Sequence, residues 1–263
     1  MYDFNFHRPS SLDAAVALLG KSGEAKLMSG GMTLIPTLKQ RLAQPSDIID
    51  LGGLKNSGIA VTGDKVTIKA GTSHAEVAAS GEVAKAIPAL AKLAGGIGDP
   101  HVRNRGTIGG SIANNDPAAD YPAAVLGLGA TVVTNKRSIK ADDFFTGMFE
   151  TALGQDEIVT AVEFPVPKKA GYAKFPNPAS RYAMVGVFVA DTGGGVRVAV
   201  TGAGPCVFRA GELEAALKSG LSADALKGKG VGADGLNSDM HASAEYRAHL
   251  VGVMARRAVA AAK

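Results

Sequence analysis

The stretch 107–122, TIGGSIANNDPAADYP, concentrates residue types that can do chemistry. Its double glycine, Gly109-Gly110, lets the backbone turn tightly and lets a ligand approach bare main chain, so that successive N–H groups can face an anion. Asn114 and Asn115 can cap or turn the chain, and Asp116-Pro117 reads as a helix start with proline in the first turn. Asp116 and Asp120 are close enough in sequence to share a helical face. They suit general acid/base work or helix capping, and the residues alone leave both open.

A second glycine pair lies in 25–39, AKLMSGGMTLIPTLK, where a short apolar run meets Ser29-Gly30-Gly31 and then a helix-forming segment. One such loop is an ordinary turn. Two of them, each passing from small polar residues into a helix, suit a ligand with two phosphates. No G-x-x-x-x-G-K-[ST] and no Rossmann fingerprint accompanies either loop. The expectation is therefore a pyrophosphate held by main-chain N–H groups and helix N-termini, without a lysine clamp.

The elements that position these loops follow from periodicity and punctuation. A helix is predicted over 12–19, ending at Gly20, and a strand over 26–28. A helix near 37–42 and a strand over 47–51 close a small α/β unit, with Gly52-Gly53 as a plain turn. Residues 59–61 and 66–70 around Thr62-Gly63-Asp64 read as a hairpin. Ser73 and Glu76 form a capping box for a helix through Ala79, and 84–93 continues as helix. Residues 123–133 pass from helix to strand, and 158–164 form a strand stopped by Pro165 and Pro167. Strands around 171–175, 182–190 and 196–201 precede two helices, the last placing Tyr246, Leu250 and Val253 or Met254 on one face.

Bulk properties exclude several classes. The chain has 263 residues, with 28 Lys and Arg against 24 Asp and Glu. The basic residues are scattered, with His101, Arg103 and Arg105 as the one tight group, so a nucleic-acid interface is not expected. Cys206 is the only cysteine, which rules out an internal disulfide and an iron–sulfur cluster carried by this chain alone. His7, His74, His101, His241 and His249 lack metal spacing, and no G-x-S-x-G or S-x-x-K motif supports nucleophilic hydrolysis. No run reaches the roughly 18 apolar residues of a membrane helix. A soluble cytoplasmic protein is expected.

The two glycine stretches, AKLMSGGMTLIPTLK and IGDPHVRNRGTIGGSIANNDPAADYPAAVLGLGA, resemble the flavin-binding subunit of molybdenum hydroxylases. That group includes the medium subunit of aerobic carbon monoxide dehydrogenase and the central domain of xanthine dehydrogenase. The resemblance is strong in these stretches, moderate over 153–187 and weak after about residue 203. It implies an α+β chain: a two-lobed FAD-binding domain, with lobes 1–54 and 55–168, followed by a small α+β C-terminal domain, 169–263. It also implies non-covalent FAD. The cofactor contacts carried over are Leu27, Ser29, Gly30, Gly31, Met32, Thr33 and Leu34 from the first loop. The second loop supplies Thr107, Ile108, Gly109, Gly110 and Ser111, with Asp120 making polar contact. Ile97 flanks the flavin ring at a position where relatives of xanthine dehydrogenase often carry an aromatic. Val159 is an apolar adenosine-side residue, and Lys174 a basic residue near the cofactor.

The resemblance further implies partners: a large subunit carrying the molybdenum cofactor and a small subunit carrying 2Fe-2S clusters, with Arg103 and Arg105 as candidates for the docking face. Electrons would pass from those clusters through FAD to an external acceptor. Two rivals are a free-standing flavin-dependent oxidoreductase of related fold, which needs its own substrate base, and a nucleotide-binding or structural module that has lost the flavin.

Overall fold

Three short parallel strands open the computed structural model, which describes residues 1–263. Asp47–Asp50 lies between Asn5–His7 and Lys26–Met28. The helices Leu12–Leu19 and Leu34–Lys39 are the crossovers that parallel pairing requires. Ser11 caps the first helix by accepting from the Ala14 N–H at 3.2 Å, and Gly20 ends it. Asn5–His7 was not foreseen, because its three residues are largely exposed and carry no alternation. His7 ties this edge down through its Nε2 at 2.7 Å from Asp47. Gly53 is more than a turn residue: a Cβ there would stand 2.4 Å from the Pro9 carbonyl oxygen, so the chain needs glycine for close packing.

A five-stranded antiparallel sheet follows, in the order Ile59–Thr62, Lys65–Lys69, Val159–Pro165, Thr131–Thr134, Ser138–Lys140. The capping box over Ser73 and Glu76 forms as read, with both reciprocal hydrogen bonds present. The helical stretch after it divides into Gly81–Ala86 and Pro88–Gly95, because Pro88 opens a new first turn. Helix Tyr121–Leu128 is buried on every side, as its composition YPAAVLGL permits. It begins at Tyr121 with Pro122 in the first turn, which corrects the helix start expected at Asp116-Pro117. Asp116 instead folds an Asx turn, accepting from the Ala118 N–H at 2.9 Å.

The last sheet orders Lys169–Pro176, Ala183–Asp191, Val196–Thr201 and Phe208–Arg209, all antiparallel. Its central strand is buried on both faces, and period-two alternation divides it between two cores. Val185, Val187 and Val189 pack with Leu250 and Met254 of the C-terminal helix Ala244–Ala260. Phe188 and Ala190 join the core beneath the five-stranded sheet. Tyr246, expected on the buried helix face with Leu250, stays 44% exposed at the helix start.

Candidate functional site

The chain leaves strand Lys26–Met28 through Ser29, Gly30, Gly31, Met32 and Thr33 before entering helix Leu34–Lys39. None of those five successive backbone N–H groups donates a hydrogen bond inside the protein, and Thr33 gives the helix no side-chain cap. Gly31 holds φ at +73°, a left-handed value that turns consecutive amides toward one side. This is a ready anion site, since uncapped amides and a helix N-terminus both favour negative charge.

The second loop is built differently. Ile108 N–H donates to Thr72 O at 3.1 Å, Gly109 N–H to Ala70 O at 2.9 Å, Gly110 N–H to the Thr107 hydroxyl at 3.1 Å and Ser111 N–H to Thr107 O at 3.0 Å. Every first-turn amide of helix Ile108–Asn114 is therefore spent on the protein, which corrects the expectation of two equivalent helix N-termini for the phosphates. What this loop offers is shape. Gly109 packs so tightly on strand Lys65–Lys69 and its exit that a Cβ would stand 2.5 Å from Ala70 Cβ. Gly110, by contrast, is exposed toward open space.

The two loops touch. Thr107 donates its hydroxyl to Ser29 Oγ at 3.0 Å, and a Cβ on Gly30 would lie 1.9 Å from the Arg105 carbonyl oxygen. Between the lobes runs a cleft of about 920 Å³, within the range of small-molecule sites. Leu27, Ser29, Gly30, Gly31, Met32, Thr33 and Leu34 line it, as do Ile97, Thr107, Gly109, Gly110, Ser111, Asp120 and Val159. Ile108 and Lys174 do not. Ile108 is wholly buried in the core below the loop. Lys174 spends its ammonium on Gly96 O at 2.8 Å, Arg181 O at 3.0 Å and Asp120 Oδ2 at 3.1 Å.

Asp120 is the cleft's central carboxylate. It is 5% exposed, and the Tyr172 hydroxyl donates to it at 2.5 Å. Burial pushes its pKa above the ordinary range, while the Lys174 ammonium and the Tyr172 hydroxyl pull the other way. Asp116 and Asp120 are not paired on one helical face, because Asn115, at φ +43°, ends the helix before them.

Lining residues that the sequence did not assign to the site come from segments remote in the chain: 55–57, His74, Phe149 and Tyr182. Only Tyr182, an aromatic just after the polar loop 177–181, carried a local signal. Arg103 donates to Ile97 O at 3.0 Å and Gly98 O at 3.2 Å, so it braces the loop before the cleft, leaving Arg105 as the exposed member of the pair.

Three further titratable groups of the lining, Glu157, Glu76 and His74, are already committed, while burial raises the Asp116 pKa as it does that of Asp120. Glu157 takes hydrogen bonds from Arg137, Gly154 N–H and Thr134, and the Arg137 guanidinium holds its pKa down at about 2. Glu76 closes the capping box. His74 is 5% exposed, its pKa depressed to about 4 by burial and then by the Arg103 guanidinium, and its buried Nδ1 has no partner.

A histidine depressed in the folded state stabilises above its unfolded pKa and loses that stability as pH falls toward the folded value. Between pH 7 and pH 5 His74 accordingly withdraws about 2 kcal/mol of stability. Urea unfolding of His74→Phe, which cannot charge, should show a correspondingly smaller acid loss than the parent. An equal loss in both would clear His74 of the effect.

Fold and cleft together define a mixed α/β protein whose largest lined cleft is walled by two glycine loops. Residues 2–167 match the family described as FAD binding domain in molybdopterin dehydrogenase. Among similar proteins, the nicotine 6-hydroxylase medium subunit of Paenarthrobacter nicotinovorans is 38% identical, over 95% of this chain and 94% of its own. The carbon monoxide dehydrogenase medium chain of Hydrogenophaga pseudoflava is 33% identical, over 98% of this chain and 96% of its own. A solved carbon monoxide dehydrogenase from Hydrogenophaga pseudoflava, in a form lacking the Mo-pyranopterin moiety, superposes with a TM-score of 0.90 at 34% identity, covering 99% of this chain and 97% of that one. The chain belongs to the FAD-binding, medium-subunit family of the molybdenum hydroxylases. No helix is long and apolar enough to cross a membrane.

Proposed function

We propose that the chain holds one FAD non-covalently in the interlobe cleft and passes electrons from iron–sulfur clusters of a small partner subunit to an external acceptor. Its large partner carries the molybdenum cofactor and the substrate pocket. The run of unpaired amides from Ser29 to Thr33, lying beside Gly110 of the second loop, carries this reading.

Those amides receive the pyrophosphate. Ser29 and Thr107, hydrogen-bonded to each other, fix the distance between the loops. Leu27, Ile97 and Val159 supply apolar wall, and Asp120, held by Tyr172 and Lys174, presents an acceptor to polar edges of the ligand. FAD, when bound, supplies the redox chemistry, and the protein orients it and sets its surroundings. Lys174 acts on it through Asp120. Glu76 and Glu157 are committed to structure and His74 is held neutral, which favours an electron-transfer subunit over a free-standing flavoenzyme with its own substrate base. A cytoplasmic location belongs to the same proposal.

Purification from native cells, with mass spectrometry and metal analysis, tests it. The expected result is a complex of three kinds of subunit containing FAD, molybdenum and iron. A homo-oligomer with FAD, without either metal, turning over a small substrate would replace this reading with the free-standing flavoenzyme.

A further inference from the structure

We propose that Phe149 is a positioning residue that packs its ring against a heteroaromatic ring of the bound dinucleotide; the inference rests on the reading above, that the cleft holds FAD. Strands Phe145–Gly147 and Glu150–Thr151 form a small hairpin whose tip is Met148 and Phe149. Phe149 lines the cleft and is 56% exposed. Its φ is +56°, in the left-handed region that bulky residues avoid.

The surrounding structure enforces this conformation. Phe149 donates its N–H to Asn115 O at 3.2 Å, while the Asn115 amide donates to Gly147 O at 2.8 Å and Glu150 O at 2.7 Å. Asn115 is 1% exposed and closes helix Ile108–Asn114, the helix that begins at the second glycine loop. The hairpin tip is thereby tied to the element that shapes the phosphate end of the cleft.

Folding does not explain the ring. A half-exposed phenyl gains little from burial, and glycine at this φ would relieve the strain. A strained backbone that holds an aromatic over a ligand cleft is instead what positioning requires. Ile97 offers the ligand an apolar surface without a π face, so the aromatic carbons of the lining come from Phe149, Tyr182 and His74. Of these, His74 is almost fully buried and Tyr182 sits beside Asp116 and Asp120, which leaves Phe149 as the apolar stacking surface. Both ends of FAD are flat heteroaromatic rings, and offset stacking on phenyl suits either.

The test compares Phe149→Gly and Phe149→Tyr with the parent chain, titrating each with FAD and with ADP. Phe149→Gly removes the ring and the strain together, so its melting temperature should hold or rise. Its FAD affinity should fall about tenfold, with a changed visible circular dichroism of the bound flavin. Phe149→Tyr should keep affinity within about twofold, since the ring is retained. If ADP affinity falls as well, the ring covered is adenine; if only FAD weakens, it is the isoalloxazine. Parent affinity and parent spectrum in Phe149→Gly would overturn the proposal. A parent chain that binds neither ligand would overturn it together with the reading beneath it.

Discussion

Gly110→Ala should give a protein that melts higher than the parent and binds FAD at least tenfold less tightly. The stabilisation follows from helix physics: Gly110 lies inside helix Ile108–Asn114, where alanine is favoured over glycine by roughly 0.5–1 kcal/mol. One protein atom crowds the methyl, the Thr107 hydroxyl oxygen, which must give by a few tenths of an ångström. A Cβ there meets Thr107 Oγ at 3.0 Å and Ser29 Cβ at 3.9 Å, and is otherwise in open space. That open space is the cleft between the two loops, so the methyl occupies volume the pyrophosphate needs. Gly110→Val should go further, to roughly a hundredfold loss, about 2.7 kcal/mol. Gly31→Val makes a useful contrast, because φ of +73° and Ile35 Cδ1 at 2.7 Å from a Cβ penalise the fold as well as the ligand. Differential scanning calorimetry without FAD and equilibrium titration with it separate the two effects. Undiminished FAD affinity in Gly110→Val would remove the second loop from the site.

Lys174→Met should destabilise the whole chain by about 3–5 kcal/mol, the usual consequence of stranding one member of a buried ion pair. Asp120 and Lys174 have side chains only 4% and 11% exposed, with the ammonium 3.0 Å from the carboxylate. The same ammonium ties Gly96 O and Arg181 O, so its loss frees two loops beside the cleft at once. The pH dependence has a definite sign. Burial already raises the Asp120 pKa, and removing the cation lets it rise further. The deficit of the variant relative to the parent is therefore full above the folded pKa and fades as acid protonates the carboxyl. Adding Asp120→Asn should recover much of the loss at neutral pH, because no charge is then stranded. A Lys174→Met deficit independent of pH and not relieved by Asp120→Asn would contradict the ion-pair account.

Much of this site was legible because its signals are local. The helix over 12–19 and the Ser73–Glu76 box each rest on signals within a few residues, and the structure realises both where they were read. Helix Ile108–Asn114 was not legible, since IGGSIAN has poor intrinsic helix propensity. It forms because its first amides find acceptors in Thr72 and Ala70, supplied by the preceding hairpin. Lys174 shows the same limit. In sequence it is a strand lysine free to reach a cofactor, while its actual acceptors lie on Gly96, Asp120 and Arg181. Phe149 and His74 reach the cleft from segments that only the fold brings together. Fourteen of the residues carried over by the family resemblance line the cleft, and it is the unequal use of amides by the two loops that geometry alone revealed.

In the proposed reading this chain, by itself, cradles FAD between the two loops. Equilibrium titration of the purified chain with FAD, followed by acid precipitation, tests it most directly. The expected result is saturable binding of one FAD per chain, with all the flavin released to the supernatant. Failure to bind FAD saturably, or flavin that stays with the precipitate, would contradict it.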